Sequence, residues 1–233
     1  MLGVVLITAI VLTVVALAVF FQPRWLLAYL AKRNPDVLFA VPTEERVVAL
    51  TIDDAPTPWV TAKVLDILRA HDAHATLFVI GDHVSGNEAV LARAKREGNE
   101  LGNHLEHEYP SIRLDKVEFA RQLAAVDQLI SSPMLIKWFR PGSGWFNERM
   151  LAQARDQGYC CALGSVYPFD PWIRNESLIS WYIETQVFPG AVIILHDGKP
   201  DRIRSANILN TLLPKLKARG YRVLTLSELA SKR

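Results

Sequence analysis

Asp53 and Asp54 stand side by side directly after an apolar run that includes Val47, Val48, Leu50 and Ile52. The same relation of polar residue to apolar run recurs along the chain. Asp82 and His83 follow a second run, and His104, His107 and Glu108 a third. Arg140 follows a fourth, Asp170 a fifth, and His196 with Asp197 a sixth. Carboxylates and imidazoles that converge on one point are ligands for a divalent cation such as zinc. His104 and Glu108 are four residues apart, His104 and His107 three, and either spacing sets two side chains on one side of a helical turn. Taken alone, a His-x-x-His pair is more often a solvated helix start. Asp54 at the neighbouring run end favours a site instead. Two adjacent aspartates also allow a division of labour, one on the metal and the other free as general base.

The elements that position these residues alternate regularly. Strands are expected at 46–52, 76–80, 99–102, 136–139, 159–163, 192–195 and 221–224. Helices are expected between them at 60–70, 88–97, 116–130, 148–157, 176–184 and 205–218, with a short one from Ser227. Gly158 and Gly220 stand where two of these helices stop. Short strands alternating with amphipathic helices predict a parallel sheet covered by helices. The fold class is therefore α/β, an irregular seven-stranded (β/α) barrel, with a doubly wound open sheet as the competing architecture. In a parallel barrel the strand ends meet on one face, where such folds build their active sites. Scattered surface charge has no reason to respect strand ends so consistently.

Residues 2–21 carry no charge and are mainly Val, Leu, Ile and Ala. Twenty apolar residues cover ~30 Å, the hydrocarbon thickness of a bilayer. The expected organisation is a transmembrane or signal-anchor segment at 1–22, a linker at 23–43 and a catalytic domain at 44–233. Ala16-Leu17-Ala18 has the form of a signal-peptidase site, but no basic region precedes it. Arg24, Lys32 and Arg33 follow the segment, which by charge alone would place the domain in the cytoplasm. Elsewhere the composition is globular. With 26 basic and 24 acidic residues the formal charge is +2, too little for a nucleic-acid footprint. Cys160 and Cys161 are adjacent, a poor geometry for a disulfide, and read as small apolar residues of a strand.

The segment Thr51-Ile52-Asp53-Asp54-Ala55-Pro56 resembles the first motif of the NodB-homology polysaccharide deacetylases (carbohydrate esterase family 4), usually Thr-Phe-Asp-Asp-Gly-Pro. Gly102-Asn103-His104 begins a likeness to their second motif, Phe139-Arg140-Pro141-Gly142 to their third, Asp170-Pro171-Trp172 faintly to their fourth, and Ile194-Leu195-His196 to their fifth. The likeness spans roughly residues 46–229, with the motifs in family order. It implies a divalent-metal hydrolase, with Zn2+ as the expected ion, that removes N-acetyl groups from an amino-sugar polymer or glycoconjugate. By similarity Asp53 is the general base, Asp54 and His104 are metal ligands, and His196 is the general acid. Arg140 keeps Asp53 ionised and Asp170 tunes His196. The expected partners are an N-acetylated carbohydrate and the membrane, with the domain on the extracytoplasmic or lumenal side. Two other readings stay open, a non-catalytic membrane-tethered glycan-binding protein and an amidohydrolase acting on a non-sugar amide.

The chain departs from the family pattern in places. Where the family has a second ligand histidine, four residues after His104, this chain has Glu108, and a histidine stands one residue earlier at His107. Glu108 keeps the position and is preferred as third ligand, with His107 as the alternative. Ala55 replaces the usual glycine, and the fourth motif is reduced to Asp170. His71 and His74 read as ordinary helix-end residues. Asp82 and His83 lie on the site face, where a structural role outweighs substrate contact. Trp59, Trp145 and Trp172 fall in loops on that face, suited either to stacking on sugars or to packing.

Overall fold

The computed structural model describes residues 1–130 and 136–232, without the side chains of residues 2 and 3. The chain forms two compact units, Met1–Pro35 and Asp36–Arg233. The first holds α1 (Leu2–Phe21) and α2 (Arg24–Arg33). Gln22, in a left-handed conformation, donates its N–H to Ala18 and ends α1, and Pro23 caps the start of α2. α1 is long and apolar enough to cross a membrane, and its described side chains are almost all exposed.

The second unit runs β1 (Val37–Leu38), β2 (Val47–Ala55), α3 (Pro58–Ala70), β3 (Thr76–Val79), α4 (Glu88–Arg96), β4 (Glu100–Asn103), α5 (Lys116–Ile130), β5 (Lys137–Phe139), α6 (Glu148–Asp156), β6 (Tyr159–Ala162), α7 (Glu176–Gln186), β7 (Val192–His196), α8 (Ile203–Ala218), β8 (Arg222–Leu224) and α9 (Leu226–Ala230). All named strand pairs are parallel, in the order β1-β6-β5-β4-β3-β2-β7, and β8 pairs with the first half of β2. β1 is an addition to the seven expected strands and lies within the stretch expected as linker, as does α2.

The sheet curls until its ends meet. Val41 donates its N–H to Gly190 at 2.9 Å, and beyond β6 the chain bonds to β7 through Ser165 N–H to Val192 and Ile194 N–H to Val166, both at 3.0 Å. Gly190 has φ +82, and a Cβ there would lie 1.8 Å from the Val41 carbonyl oxygen, so this closure needs glycine. β2 is central and reads as a continuous buried run from Val47 to Asp53, as expected of a strand covered on both faces. α3 buries Val60, Val64, Leu65, Ile67 and Leu68, while α5 buries Phe119, Leu123 and Val126.

A polar lock closes the floor of the barrel, at the N-terminal ends of β3 and β4. Buried Glu100 accepts hydrogen bonds from the Thr76 hydroxyl at 2.6 Å and from the Ser227 hydroxyl, and Thr76 Oγ1 accepts from Leu226 N–H at 2.9 Å. The opposite, C-terminal end of the sheet is left for chemistry. Phe119 has no exposed surface and meets Phe139 edge-to-face at 5.5 Å. Truncating Phe119 to alanine should cost about 3–5 kcal/mol, measured as a lowered midpoint in urea unfolding.

Candidate active site

β2 delivers two carboxylates to one place by breaking its own alternation. Successive side chains of a strand point to opposite faces. Between Ile52 and Ala55 on β2 the register against β3 shifts, because the partners of those two residues are Leu77 and Val79. The extra residue is a bulge, and Asp54 sits in it at φ 64, a left-handed conformation that aspartate tolerates better than most residues. As a result Asp54 Oδ1 lies 3.5 Å from His104 Nε2 while Asp53 Oδ2 lies 4.0 Å from the same atom.

His104 follows β4 and is buried. Its Nδ1 lies 2.7 Å from the Arg140 carbonyl oxygen, so Nδ1 carries a proton and donates, and Nε2 is turned towards the aspartates. Asn103 secures the turn, with its Oδ1 accepting from Leu105 N–H at 2.9 Å and its Nδ2 donating to Leu123. Burial opposes a charge on His104, but the Asp53 and Asp54 carboxylates outweigh it and hold the imidazole above its usual range. Burial likewise raises Asp54, and contact with His104 more than reverses this, so its carboxyl stays below the ordinary range. An Asp–His pair with one imidazole nitrogen tied back and the other turned to a carboxylate is the donor set of a divalent cation. It fits such an ion.

Arg140 is fully buried and entirely spoken for. It donates to Asp53 Oδ1 at 2.6 Å, to Thr51 Oγ1 at 2.8 Å, and to the carbonyls of Ala162 and Leu163 at 3.0 and 2.8 Å, with Phe78 stacked 4.1 Å away. On the other side of β2, His196 at the end of β7 has its Nδ1 2.9 Å from Asp170 Oδ1 and its N–H on Asp170 Oδ2 at 3.0 Å. Burial disfavours the imidazolium, but the Asp170 carboxylate outweighs it, and the ring is pushed up to about 9. Asp53 and His196 are paired residues of adjacent strands. A carboxylate and an imidazole thus flank the Asp54–His104 pair.

The structure does not bring every expected residue to that point. His107 turns away: its Nδ1 lies 2.7 Å from Asp82, and it forms with Glu106 and Glu118 a tight His–carboxylate group that Arg121 also bonds. Among the described residues no such three-member group includes Asp54, His104 and Glu108. Glu108 instead lies 3.1 Å from the Lys199 ammonium. Trp59, Trp145 and Trp172 are all exposed, and Trp172 packs on Tyr167, which packs on His196.

Two residues brace the site: His83, for which a structural role was expected, and Asp197, to which no role was assigned from sequence. His83 Nδ1 bonds the Asp54 carbonyl at 2.9 Å and supports the bulge. Asp197 donates its N–H to Asp53 at 2.8 Å, and its buried carboxylate is held by Thr61. Their only signal was position immediately after an apolar run.

A curled parallel barrel thus carries at one end a carboxylate bound to a buried arginine, an Asp–His pair and a carboxylate-backed imidazole. Residues 40–162 match the polysaccharide deacetylase family model. The chain is similar to a peptidoglycan-N-acetylglucosamine deacetylase of Bacillus cereus, 35% identical over 83% of this chain and 92% of that protein. Among solved structures it resembles the Bc1960 peptidoglycan N-acetylglucosamine deacetylase, with TM-score 0.78 and 28% identity over 83% of this chain and 92% of that one. A family 4 acetyl xylan esterase from Clostridium thermocellum, solved with a cobalt ion, matches with TM-score 0.73 and 28% identity over 79% and 90% of the two chains. The chain belongs to the polysaccharide deacetylase family, a family of divalent-metal-dependent enzymes. It is a deacetylase acting on N-acetylated carbohydrate.

The Asp170–His196 pair sets a pH limit. With His196 as the expected general acid, a raised imidazole pKa means that the protonated form persists until pH rises through about 9. Asp170→Asn removes the carboxylate that holds the proton, so the alkaline limb of the kcat/KM–pH profile should move to lower pH while the acidic limb stays in place.

Proposed function

We propose that this enzyme removes the N-acetyl group from amino sugars of peptidoglycan, using a zinc ion held by Asp54, His104 and Glu108. The names of the relatives support the substrate, and the Asp54–His104 contact at 3.5 Å supports the ion site. Glu108 is preferred over His107 because it keeps the family position, four residues after His104. The bound ion supplies Lewis acidity, activating water and stabilising the negative charge that develops on the acetyl oxygen.

The chain's own residues do the rest. Asp53, oriented by its hydrogen bond from Arg140, accepts the proton of the attacking water. His196, oriented by Asp170 through Nδ1, presents Nε2 and protonates the departing sugar amine. The exposed Trp172, which meets Tyr167 edge-to-face as Tyr167 meets His196, offers an apolar face to a sugar ring at the rim. The observation that carries the reading is the opposed bracing of the two proton carriers, Asp53 by a buried arginine and His196 by a buried aspartate.

The reading extends to location. Residues 1–22 act as a membrane anchor, 23–43 connect, and 44–233 form the catalytic domain. α1 has the length and composition of a single span. A cell-wall substrate lies beyond the cytoplasmic membrane, so the domain is extracytoplasmic despite Arg24, Lys32 and Arg33 on its side of the span.

Asp53→Asn and His196→Ala should each lower acetate release from N-acetylglucosamine oligomers by about 10²–10⁴-fold while metal content, read by elemental analysis, stays at the wild-type level. Asp54→Asn and His104→Ala should lose the metal itself. Wild-type acetate release by either of the first two variants would remove the proton-carrier assignment.

A further inference from the structure

Glu108 stands at the position of the family's second ligand histidine, and it faces an opposite charge of the chain's own. The Lys199 ammonium lies 3.1 Å from its Oε1, linking the loop after β4 to the loop after β7. Both attachment points are fixed. On one side, the His107 ring bonds Asp82 at 2.7 Å and stacks on Tyr109 at 5.3 Å, which holds the backbone around Glu108. On the other, Gly198 donates its N–H to the anchored Asp197 carboxylate at 2.8 Å. It presses so closely on the site that a Cβ there would lie 2.6 Å from the Asp54 Cβ. Lys199 therefore leaves the chain one residue beyond the wall formed by Asp54. The pair is 54% exposed at Lys199 and 40% at Glu108, so neither partner is trapped.

We propose that Lys199 competes with the metal for Glu108, so that this ion pair sets the enzyme's metal affinity. The inference rests on Asp54, His104 and Glu108 being the ligand set. A histidine at this position gives an ion a neutral imidazole that no lysine holds back. A carboxylate gives it a charged oxygen, but one already balanced by an ammonium. Binding then exchanges one electrostatic partner for another, with the Lys199 ammonium released to solvent. A partly exposed ion pair is weak enough for that exchange to be easy and strong enough to be measured.

The test is a Zn2+ titration of the metal-free, full-length protein in detergent at one fixed, buffered pH, with Kd read by competition against a chelator. Lys199→Met should tighten Kd about 2–5-fold at low ionic strength, and the gain should shrink as salt is raised. In a Glu108→His background the same substitution should leave Kd unchanged. Equal tightening in both backgrounds would mean plain charge repulsion and overturn the proposal. No change, or weaker binding, in the Glu108 background would overturn it as well. Asp54→Asn separates this from the ligand assignment. If that variant binds zinc like wild type, the ligand set is wrong. If it loses zinc while Lys199→Met has no effect, only the competition fails.

Discussion

Neighbouring residues of a regular strand cannot both face one point, yet the chemistry at the mouth of this barrel needs both Asp53 and Asp54. The bulge at the end of β2 resolves the conflict, with Asp54 turned to φ 64 and one extra residue set against β3. Most of the surrounding contacts hold that bulge in place. His83 bonds the Asp54 carbonyl, Gly198 packs against its side chain, and Asp197 reaches the Asp53 carbonyl. These supports come from the ends of β3 and β7, the two strands that flank β2. Because the supports are packed on both sides, the unusual backbone is held by the fold.

Electrostatics then divides the roles. Two buried ion pairs lie on either side of the Asp54–His104 pair, and they have opposite sense. Arg140 stabilises the charged form of a carboxylate, and Asp170 stabilises the charged form of an imidazole. Both pairs are buried, where a lone charge would be costly. Arg140 avoids that cost by satisfying its donors on two backbone carbonyls, a threonine and Asp53.

Much of this was legible in the sequence because strand ends in a parallel barrel are also site positions. The apolar runs marked β2 to β8, and the residues following them marked the face. β1 was not legible: Val37 and Leu38 are a two-residue strand beside prolines, with no periodicity to read, and they join the sheet only through long-range pairing with β6. The partners of the two candidate third ligands were equally hidden. Spacing along a turn admits His107 and Glu108 alike and says nothing of Asp82, which meets the first, or Lys199, which meets the second. The bracing role of His83 rests on a hydrogen bond to a backbone atom, which side-chain chemistry does not announce.

The central claim is that the β2 bulge and the end of β4 grip one divalent ion between them. Anomalous diffraction from crystals grown with zinc tests it most directly. A single strong peak at ~2.0–2.2 Å from both an Asp54 carboxylate oxygen and His104 Nε2 is the expected result. A peak held by Glu106, His107 and Glu118 instead, with none between Asp54 and His104, would contradict it.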